Sequence, residues 1–571
     1  MSSINLRPAQ RVVVENILDN YSNYDCFFIN MPTGGGKTLS SLYTLRMIAE
    51  RFNDIGRTII AVRTKNEFQP YFRDNKKFNL GLALTCIAGK EEMCNDPLLM
   101  KILKELEEVN PCRFCPLYAS LLPSDVVIRK IYEDESFLWL KEIKHICPYY
   151  SLRASVRVSD AVCVTYPYIF TGRINLLMKD EELESDVKGD KKLILIIDEA
   201  HNIDTIPEQY TRTINLKIVE RAIKYIEEGL LILEKSPLIE LKEIIQSLPE
   251  SEEERYFDKR KLPFMDLVAL SEEVEALSNY ILEEKMRPVI YTAIQLKKFY
   301  ETVSMPDTEV FTSGKGLKVR LLLPTKLVTN LKQYFDKIIL MSGTLPPEDY
   351  IAKIWGLKGL YIDVESYFKD LIKNKQGIII TNVTSKYEYR ESSAPKYAEA
   401  ITKIVKELDT VKLIVFPSYK YMKRIISLLK EDVLTQSIIE DEKTKIEEVK
   451  KMVEEGRVKN ILAVAGGKLT EGIEITKGGK SLIEDVVMIG IPYPEVSDYS
   501  RKKAEKIATL IGGKEDLYRY MYYIPALMLV KQAIGRAVRS ERDKARIWLL
   551  DSRYRYFTKD LRISLIPTLR V

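Results

Sequence analysis

The chain has 571 residues, of which 46% are hydrophobic and 30% charged, a globular balance that excludes a largely disordered protein. The 87 basic and 82 acidic side chains leave a net charge of +5, which neither predicts nor excludes a nucleic-acid partner. No segment reaches the roughly 18 apolar residues of a membrane span, and the start, MSSINLRPAQR, lacks the apolar core of a secretion signal. We expect a soluble, cytoplasmic protein of roughly three or four domains, without a membrane partner and with reduced cysteines.

The segment INMPTGGGKT, residues 29–38, is the first motif that carries chemistry. The apolar run DCFFIN predicts a buried strand, and the apolar residues after the motif recur at helical spacing. Glycines in the turn between them allow backbone N–H groups to point at a phosphate, next to the N-terminus of the helix. The lysine would reach the outer phosphates of ATP, and the threonine hydroxyl would hold magnesium. The predicted ATP-binding residues are Gly34, Gly35, Gly36, Lys37 and Thr38.

A second acidic motif lies at the end of the apolar run KKLILIIDEAHNI. Such a run is typical of a strand buried on both faces of a parallel sheet. Asp198 would bind magnesium, and Glu199 would orient and deprotonate the attacking water. His201 fits a capping or core histidine, and we assign it no catalytic role.

Four cysteines lie between these two motifs with the spacing C-x17-C-x2-C-x31-C. Four thiolates with one close pair suit either tetrahedral zinc or an iron–sulfur cluster, and the spacing alone does not choose between them. The remaining cysteines, Cys26, Cys86 and Cys163, lie in apolar segments and are predicted to be buried. The candidate metal ligands are Cys94, Cys112, Cys115 and Cys147.

The C-terminal third alternates buried strands and helices, which predicts a second parallel-sheet domain. The predicted strands lie in VKLIVFPSY, KNILAVAGGKLTEGIEI, EDVVMIGIPYP and ARIWLLDSRY. In the segment QAIGRAVR, the spacing places Gln532, Arg536 and Arg539 on one face of a helix. Two such arginines match the chemistry that stabilises charge on a transferred phosphoryl group, although a solvated basic face would give the same pattern.

These motifs together resemble those of superfamily 2 helicases. MPTGGGKT, AVRTKNEFQ, DEAH, MSGTL, LIVFPSY, GGKLTEGIEI and QAIGRAVR occur in the order and rough spacing of that superfamily. The four cysteines narrow the resemblance to the iron–sulfur helicases that include XPD, FANCJ and DinG, and the chain looks most like the archaeal XPD members. One departure is Glu474, where relatives carry aspartate after the same three residues.

The resemblance implies an α/β fold of two RecA-like domains with ATP between them, and two insertions in the first domain. The second insertion would be a mostly helical Arch domain, in which Leu267, Leu270, Val274, Leu277 and Ile281 form a buried packing seam. The expected boundaries are 1–93, 148–204 and 316–375 for the first helicase domain, 94–147 for the iron–sulfur domain, 205–315 for the Arch domain and 376–571 for the second helicase domain.

The resemblance also implies roles for residues outside the ATP motifs. Arg63 and Thr64 match the family's first DNA-contact motif, and Ser342 and Thr344 match the motif that couples hydrolysis to movement. The segment containing Arg7 and Gln10 would pack near adenine, and Gln532 would contact ATP. The implied activity is ATP-dependent unwinding with 5'-3' movement on single-stranded DNA, assisted by Mg²⁺ and a 4Fe-4S cluster, in DNA repair of the nucleotide-excision type.

Two other functions fit parts of the pattern. One is an ATP-driven translocase or remodeller with a structural zinc site and no strand separation. The other is a nucleic-acid-binding module with a degenerate ATPase, which the intact lysine, carboxylates and arginines oppose. We expect a monomer that acts on single-stranded and forked DNA, with partners in repair or transcription.

Overall fold

A computed structural model describes residues 4–52, 55–106, 109–171, 173–174, 192–251 and 253–566. These residues form two seven-stranded sheets, one four-stranded sheet and a two-stranded hairpin. Both large sheets are parallel throughout. The predicted α/β class with two parallel-sheet domains is therefore confirmed. None of the helices in these ranges is long and apolar enough to cross a bilayer.

The first sheet is built from short apolar strands because helices cover both of its faces. The strand with the sequence KLILII, for example, is almost wholly buried. Since the strands are parallel, all of their carboxyl ends lie at one edge, where parallel sheets bind ligands. In spatial order the strands are Leu360–Asp363, Cys26–Asn30, Lys337–Ser342, Lys192–Ile197, Ile55–Val62, Ala161–Thr165 and Leu84–Cys86.

The register of this sheet places two predicted motifs side by side. Asn30 pairs with Ser342 at the ends of neighbouring strands, and the backbone N–H of Met31 donates to the Ser342 carbonyl at 2.9 Å. The glycine loop therefore starts next to the segment MSGTL. The longer helices of this domain are Pro8–Asn20, Lys37–Phe52, Phe68–Lys77 and Pro148–Ser155, and the shorter ones are Lys90–Met93, Tyr166–Phe170, Thr325–Asn330, Glu348–Tyr350 and Lys369–Lys373. The helix Ser124–Asp134 belongs to the cysteine insertion.

The second sheet contains the four strands predicted in the C-terminal third. It begins with residue 375, and its two-residue last strand pairs at one edge. In spatial order the strands are Ser437–Ile439, Asn460–Val464, Val411–Phe416, Ile483–Ile489, Ala545–Leu550, Lys375–Ile380 and Ser564–Leu565. The helices are Arg390–Glu407, Tyr419–Ile426, Glu431–Leu434, Ile446–Glu454, Lys468–Gly472, Asp498–Ile511, Ile524–Gly535 and Thr558–Leu561.

The second insertion is mostly helical, as predicted, and it also contains an antiparallel sheet that the sequence did not reveal. Four of the five predicted seam residues are buried, with Leu270 and Ile281 fully inaccessible, and Leu267 is partly buried. The sheet extends beyond residue 315, because Gly316–Leu321 pairs with both neighbouring strands. The helices are Leu216–Glu227, Ser236–Ser247, Leu267–Leu277 and Arg287–Ser304, and the strands are Arg212–Asn215, Gly316–Leu321, Thr308–Thr312 and Tyr256–Phe257.

The cysteine insertion, residues 94–147, shares its apolar residues between two neighbouring cores. Leu99 and Ile102, on the helix Pro97–Glu105, belong to the apolar cluster of the second insertion. Val127 and Leu140 belong to the core of the first domain. Within the described ranges this insertion has no apolar cluster of its own, so its first part packs with the second insertion and the rest packs with the first domain.

We predict that Ile102→Ala loosens both insertions. Ile102 is 0% exposed, and removing its side chain leaves a cavity that costs about 2–5 kcal/mol. Hydrogen exchange should therefore accelerate in Pro97–Glu105 and also in Leu267–Leu277 and Arg287–Ser304. The matched control is Leu98→Ala on the same helix, because Leu98 is 47% exposed. Faster exchange confined to the cysteine insertion would contradict the shared core.

Candidate functional site

The glycine loop adopts a conformation that side chains rarely tolerate. Gly34 has φ +77° and Gly36 has φ +91°, both in the left-handed region. A Cβ on Gly34 would overlap the backbone oxygen of Arg539, and a Cβ on Gly36 would overlap the Gln10 side chain. Glycine is therefore required here both by the turn and by close neighbours, one of which comes from the second domain.

The N-terminal segment LRPAQ lies against this loop. The Arg7 backbone N–H donates to Gln10 Oε1 at 2.9 Å, which fixes the glutamine side chain at the start of its helix. Gln10 Nε2 then donates to the Gly36 carbonyl at 3.3 Å, and Arg7 Nη1 donates to the Gly34 carbonyl at 3.1 Å. Both residues named from the sequence thus contact the loop that is predicted to bind phosphate.

Lys37 faces the acidic pair. Its Nζ lies 3.1 Å from Glu199 Oε1. Burial alone would lower the pKa of Lys37, but Glu199 and Asp198 more than offset this and raise it, so the lysine stays charged. Burial raises the pKa of Asp198, and the neighbouring Glu199 charge raises it further. A buried site with this excess of carboxylates suits a divalent cation.

Tyrosines and a histidine fix the two carboxylates in place. Tyr71 donates its hydroxyl to Asp198 Oδ2 at 2.8 Å, and Tyr166 donates to the Asp198 carbonyl at 2.5 Å. His201 Nδ1 lies 3.3 Å from Glu199 Oε2 and 2.7 Å from Ser342 Oγ. The histidine, to which the sequence assigned no role, therefore joins Glu199 to the segment MSGTL.

Ser342 also fixes its own segment. Its Oγ accepts a hydrogen bond from the backbone N–H of Thr344 at 3.0 Å, and the Ser342 side chain is fully buried. The two residues of the predicted coupling motif thus contact each other. Spacing along the sequence could not predict that Ser342 contacts His201. The available signal was the histidine itself, which stands two residues after Glu199.

The sequence suggested that both arginines lie on one helix, but the helix ends before them. The helix Ile524–Gly535 ends before Arg536, and Arg539 lies in the turn that follows. Beyond the helix, Asp543 accepts from the backbone N–H groups of Arg539 at 3.0 Å and Ser540 at 2.7 Å, which stabilises this part of the chain outside the helix. Prediction of a single helix face for Gln532, Arg536 and Arg539 was therefore wrong.

Both arginines nevertheless lie at the cleft. Arg536 Nε donates to the Thr470 carbonyl at 2.9 Å. Burial lowers the pKa of Arg536 to about 10, together with the Arg539 charge, while Glu199 across the cleft opposes this shift. Arg539 forms an ion pair with Glu474. The glutamate that departs from the family pattern thus still reaches an arginine.

Two buried polar atoms at this wall lack a hydrogen-bond partner within the described part of the chain. They are Gln532 Oε1 and Arg539 Nε. An unpaired buried donor or acceptor costs about 1–3 kcal/mol, so such atoms are expected where a polar ligand binds. Gln532 and Arg539 therefore fit the ATP contacts predicted for them.

The candidate DNA-contact residues lie beside the ATP site. Arg63 forms an ion pair with Glu471 of the second domain. Glu67 accepts hydrogen bonds from the Arg63 backbone N–H and the Thr64 hydroxyl, each at 3.0 Å. Burial raises the pKa of Glu67 to about 7, and the Asp198 charge adds to the shift. Neither glutamate was predicted from the sequence. The partner of Glu471 is known only once the domains are placed, whereas Glu67 lies three and four residues from its partners, a local spacing that was the available signal.

The four candidate metal ligands are free thiols that lie near one another. Cys112 and Cys115 both contribute to a raised pKa at Cys94, after burial. Burial is also the largest cause of the raised pKa of Cys112, to which Cys147 and Cys115 contribute as well. The donor set fits a four-thiolate site in its chemistry. No three His, Cys, Asp or Glu side chains in the described ranges are spaced as a metal site.

Three family models match the chain. A DEAD_2 model matches residues 60–218, a helicase C-terminal domain model matches residues 401–568, and a model of the type III restriction enzyme res subunit matches residues 3–104. The first two matches fall on the two parallel-sheet domains.

The chain is 31% identical to the ATP-dependent DNA helicase XPD of Sulfolobus acidocaldarius over 576 residues, which cover 98% of each protein. The chain belongs to the XPD helicase family. A solved XPD helicase structure matches 99% of the chain and 100% of its own length at a TM-score of 0.74 and 28% identity. A solved apo XPD matches 98% and 100% at a TM-score of 0.67 and 27% identity. The structural comparison of this XPD family member thus leads to the same family as the sequence comparison.

We predict that Arg536→Ala lowers ATP hydrolysis by about 10³-fold and leaves single-stranded DNA binding unchanged. The reason is that Arg536 faces Glu199 across the cleft, whereas the candidate DNA contact Arg63 pairs with Glu471 and not with Arg536. Steady-state ATPase assays and fluorescence anisotropy measure the two properties. Arg542→Ala is the control, because Arg542 is exposed in the same turn. Lost DNA binding with full ATPase would indicate a basic DNA-binding surface instead.

Proposed function

We propose that this protein is an ATP-dependent DNA helicase that moves 5' to 3' along single-stranded DNA and separates duplex DNA in repair of the nucleotide-excision type. The observation that carries the proposal is the two-sided cleft. One wall holds Lys37 and Glu199, 3.1 Å apart, and the other holds Arg536 and Arg539. A site divided between two domains changes when the domains move, which is what a motor requires.

The residues of the cleft have distinct roles in hydrolysis. The glycine loop and Lys37 bind the phosphates of ATP, and Glu199 orients the attacking water and accepts its proton. Arg536 and Arg539 stabilise the charge that develops on the transferred phosphoryl group. Asp198 and Thr38 would hold Mg²⁺, which neutralises phosphate charge when bound.

One short segment connects hydrolysis to DNA binding. In the helix Lys468–Gly472, the Thr470 carbonyl accepts from Arg536 at 2.9 Å, while the next residue, Glu471, pairs with Arg63. A shift of Arg536 during hydrolysis therefore displaces the partner of a candidate DNA contact. Base stacking costs about 1.4 kcal/mol per step, so the cycle needs direction more than additional energy.

Membership of the XPD family supports the polarity and the repair role. The match extends over 98% of the chain and of the Sulfolobus XPD helicase, which favours a helicase over a translocase with a structural zinc site. The partners that follow are single-stranded and forked DNA, bound by a monomer that works with other repair or transcription proteins.

The four thiols support a 4Fe-4S cluster in the cysteine insertion. Cys94, Cys112, Cys115 and Cys147 would hold it, and when bound it crosslinks a segment that has no apolar cluster of its own among the described residues. We assign residues 94–147 to an iron–sulfur domain that acts as a wedge at the fork. The second insertion is then the Arch domain, and residues 376–571 are the second helicase domain.

The direct test is strand displacement on a duplex with a single-stranded tail. A substrate with a 5' tail should be separated when ATP is added, and one with a 3' tail should not. Lys37→Ala should bind DNA without separating it, because it removes the charge that meets the phosphates. Glu199→Gln should bind ATP and hydrolyse it very slowly. Equal displacement of both substrates would disprove the polarity, and ATP hydrolysis without displacement would favour the translocase.

We predict that Cys112→Ser removes iron and abolishes strand separation, while most DNA-stimulated ATPase activity survives. The insertion lies outside the ATP cleft, so the loss should affect hydrolysis only indirectly. Cys163→Ser is the control, because Cys163 is 0% exposed in a strand of the first sheet. Metal analysis, ATPase and fork assays measure the three properties. Normal unwinding by Cys112→Ser would contradict the wedge, and zinc in the wild type would contradict the cluster.

A further inference from the structure

A half-buried aspartate extends the acidic motif toward the segment after MSGTL. Asp204 accepts hydrogen bonds from the Tyr350 hydroxyl at 2.9 Å and from Trp355 Nε1 at 2.8 Å. Tyr350 is 4% exposed and Trp355 is 0% exposed. Together with the contact between His201 and Ser342, this gives the acidic segment two attachments to the chain from 342 to 355.

The residue before Tyr350 reaches across to the second domain. Asp349 accepts from Arg519 Nε at 2.9 Å and Arg519 Nη2 at 3.2 Å, a two-pronged ion pair. It also accepts the Tyr520 hydroxyl at 3.0 Å. The Tyr350 and Tyr520 rings stack with their centroids 6.3 Å apart. The two domains thus meet here through charge, hydrogen bonding and ring stacking.

On the second-domain side, the residues of this contact begin the helical segment that ends next to Arg536. Arg519–Tyr523 is a single π-helical turn, and the helix Ile524–Gly535 continues from it without a break. Arg536 follows that helix. A continuous helical segment transmits a displacement along its axis, so the position of Arg519 determines where Arg536 is presented.

We propose that Asp349 is a positioning residue for ATP hydrolysis, which acts through Arg519 and Tyr520 to hold the arginine-bearing helix in register with the acidic motif. The proposal rests on the ATPase activity proposed above. An exposed ion pair contributes little to stability, and Asp349 and Arg519 are 38% and 42% exposed. The contact is therefore expected to affect the reaction rate more than the fold. Pairing with Arg519 and Tyr520 also keeps the Asp349 carboxylate charged, because these bonds offset burial and lower its pKa.

The test compares Asp349→Asn with wild type in the presence of saturating single-stranded DNA. We expect kcat for ATP to fall about threefold to tenfold, while KM and DNA affinity change less than about twofold. Tyr520→Phe removes one hydrogen bond and should lower kcat in the same direction by less. The paired exchange Asp349→Arg with Arg519→Asp should recover part of kcat relative to either single exchange.

The matched control is Arg562→Gln. Arg562 Nη2 lies 2.7 Å from Asp363 Oδ2 and Arg562 Nη1 lies 3.1 Å from Glu365 Oε2, so this contact also joins the two domains, but it does so at the end of the helix Thr558–Leu561 and not at the turn that begins the arginine-bearing helix. Its kcat should stay within about twofold of wild type. Wild-type kcat in Asp349→Asn, or an equal loss in Arg562→Gln, would overturn the proposal. A wild-type protein without ATPase activity would instead refute the proposed function.

Discussion

The backbone oxygen of Arg539 lies against Gly34, and this contact determines where the two parallel-sheet domains meet. Because Gly34 has no side chain, the turn after QAIGRAVR can approach the loop that curls around phosphate. The same approach brings Arg536 close enough to Glu199 for their charges to interact. A larger residue at position 34 would separate the two walls, and lysine, carboxylates and arginines would no longer form one site.

Strand register provides the other half of the arrangement. The pairing of Asn30 with Ser342 aligns the loop with the segment that follows the neighbouring strand. His201 can then contact both Glu199 and Ser342 over 3.3 Å and 2.7 Å. A change at the γ-phosphate that moves Glu199 would therefore be passed through His201 to Ser342 and the residues up to 355. Backbone pairing, rather than any single side chain, sets that distance.

The sequence predicted much of the fold and of the candidate site, and the features that it did not predict have physical reasons. Uninterrupted apolar strands such as Lys192–Ile197 are visible because burial on both faces leaves no polar positions. The position of Arg539 was misjudged because Asp543 holds its backbone outside the helix, through a bond that does not follow a helical period. The strand Arg212–Asn215 is only four residues long and mixed in polarity, so it carries no clear signal. The contact between Asp349 and Arg519 joins residues 170 positions apart, which no local pattern records.

The cysteines of the chain divide into two groups by chemical accessibility. Cys26, Cys86 and Cys163 are 0% exposed, and burial raises the pKa of each thiol, to about 11 for Cys26. The thiolate is the form that reacts with alkylating reagents, so these three remain inert while the protein is folded. In the cysteine insertion Cys112 is also buried, but Cys94, Cys115 and Cys147 are partly exposed. A thiol-directed dye added to the native protein would therefore reach the partly exposed thiols of the cysteine insertion first, without engineered cysteines.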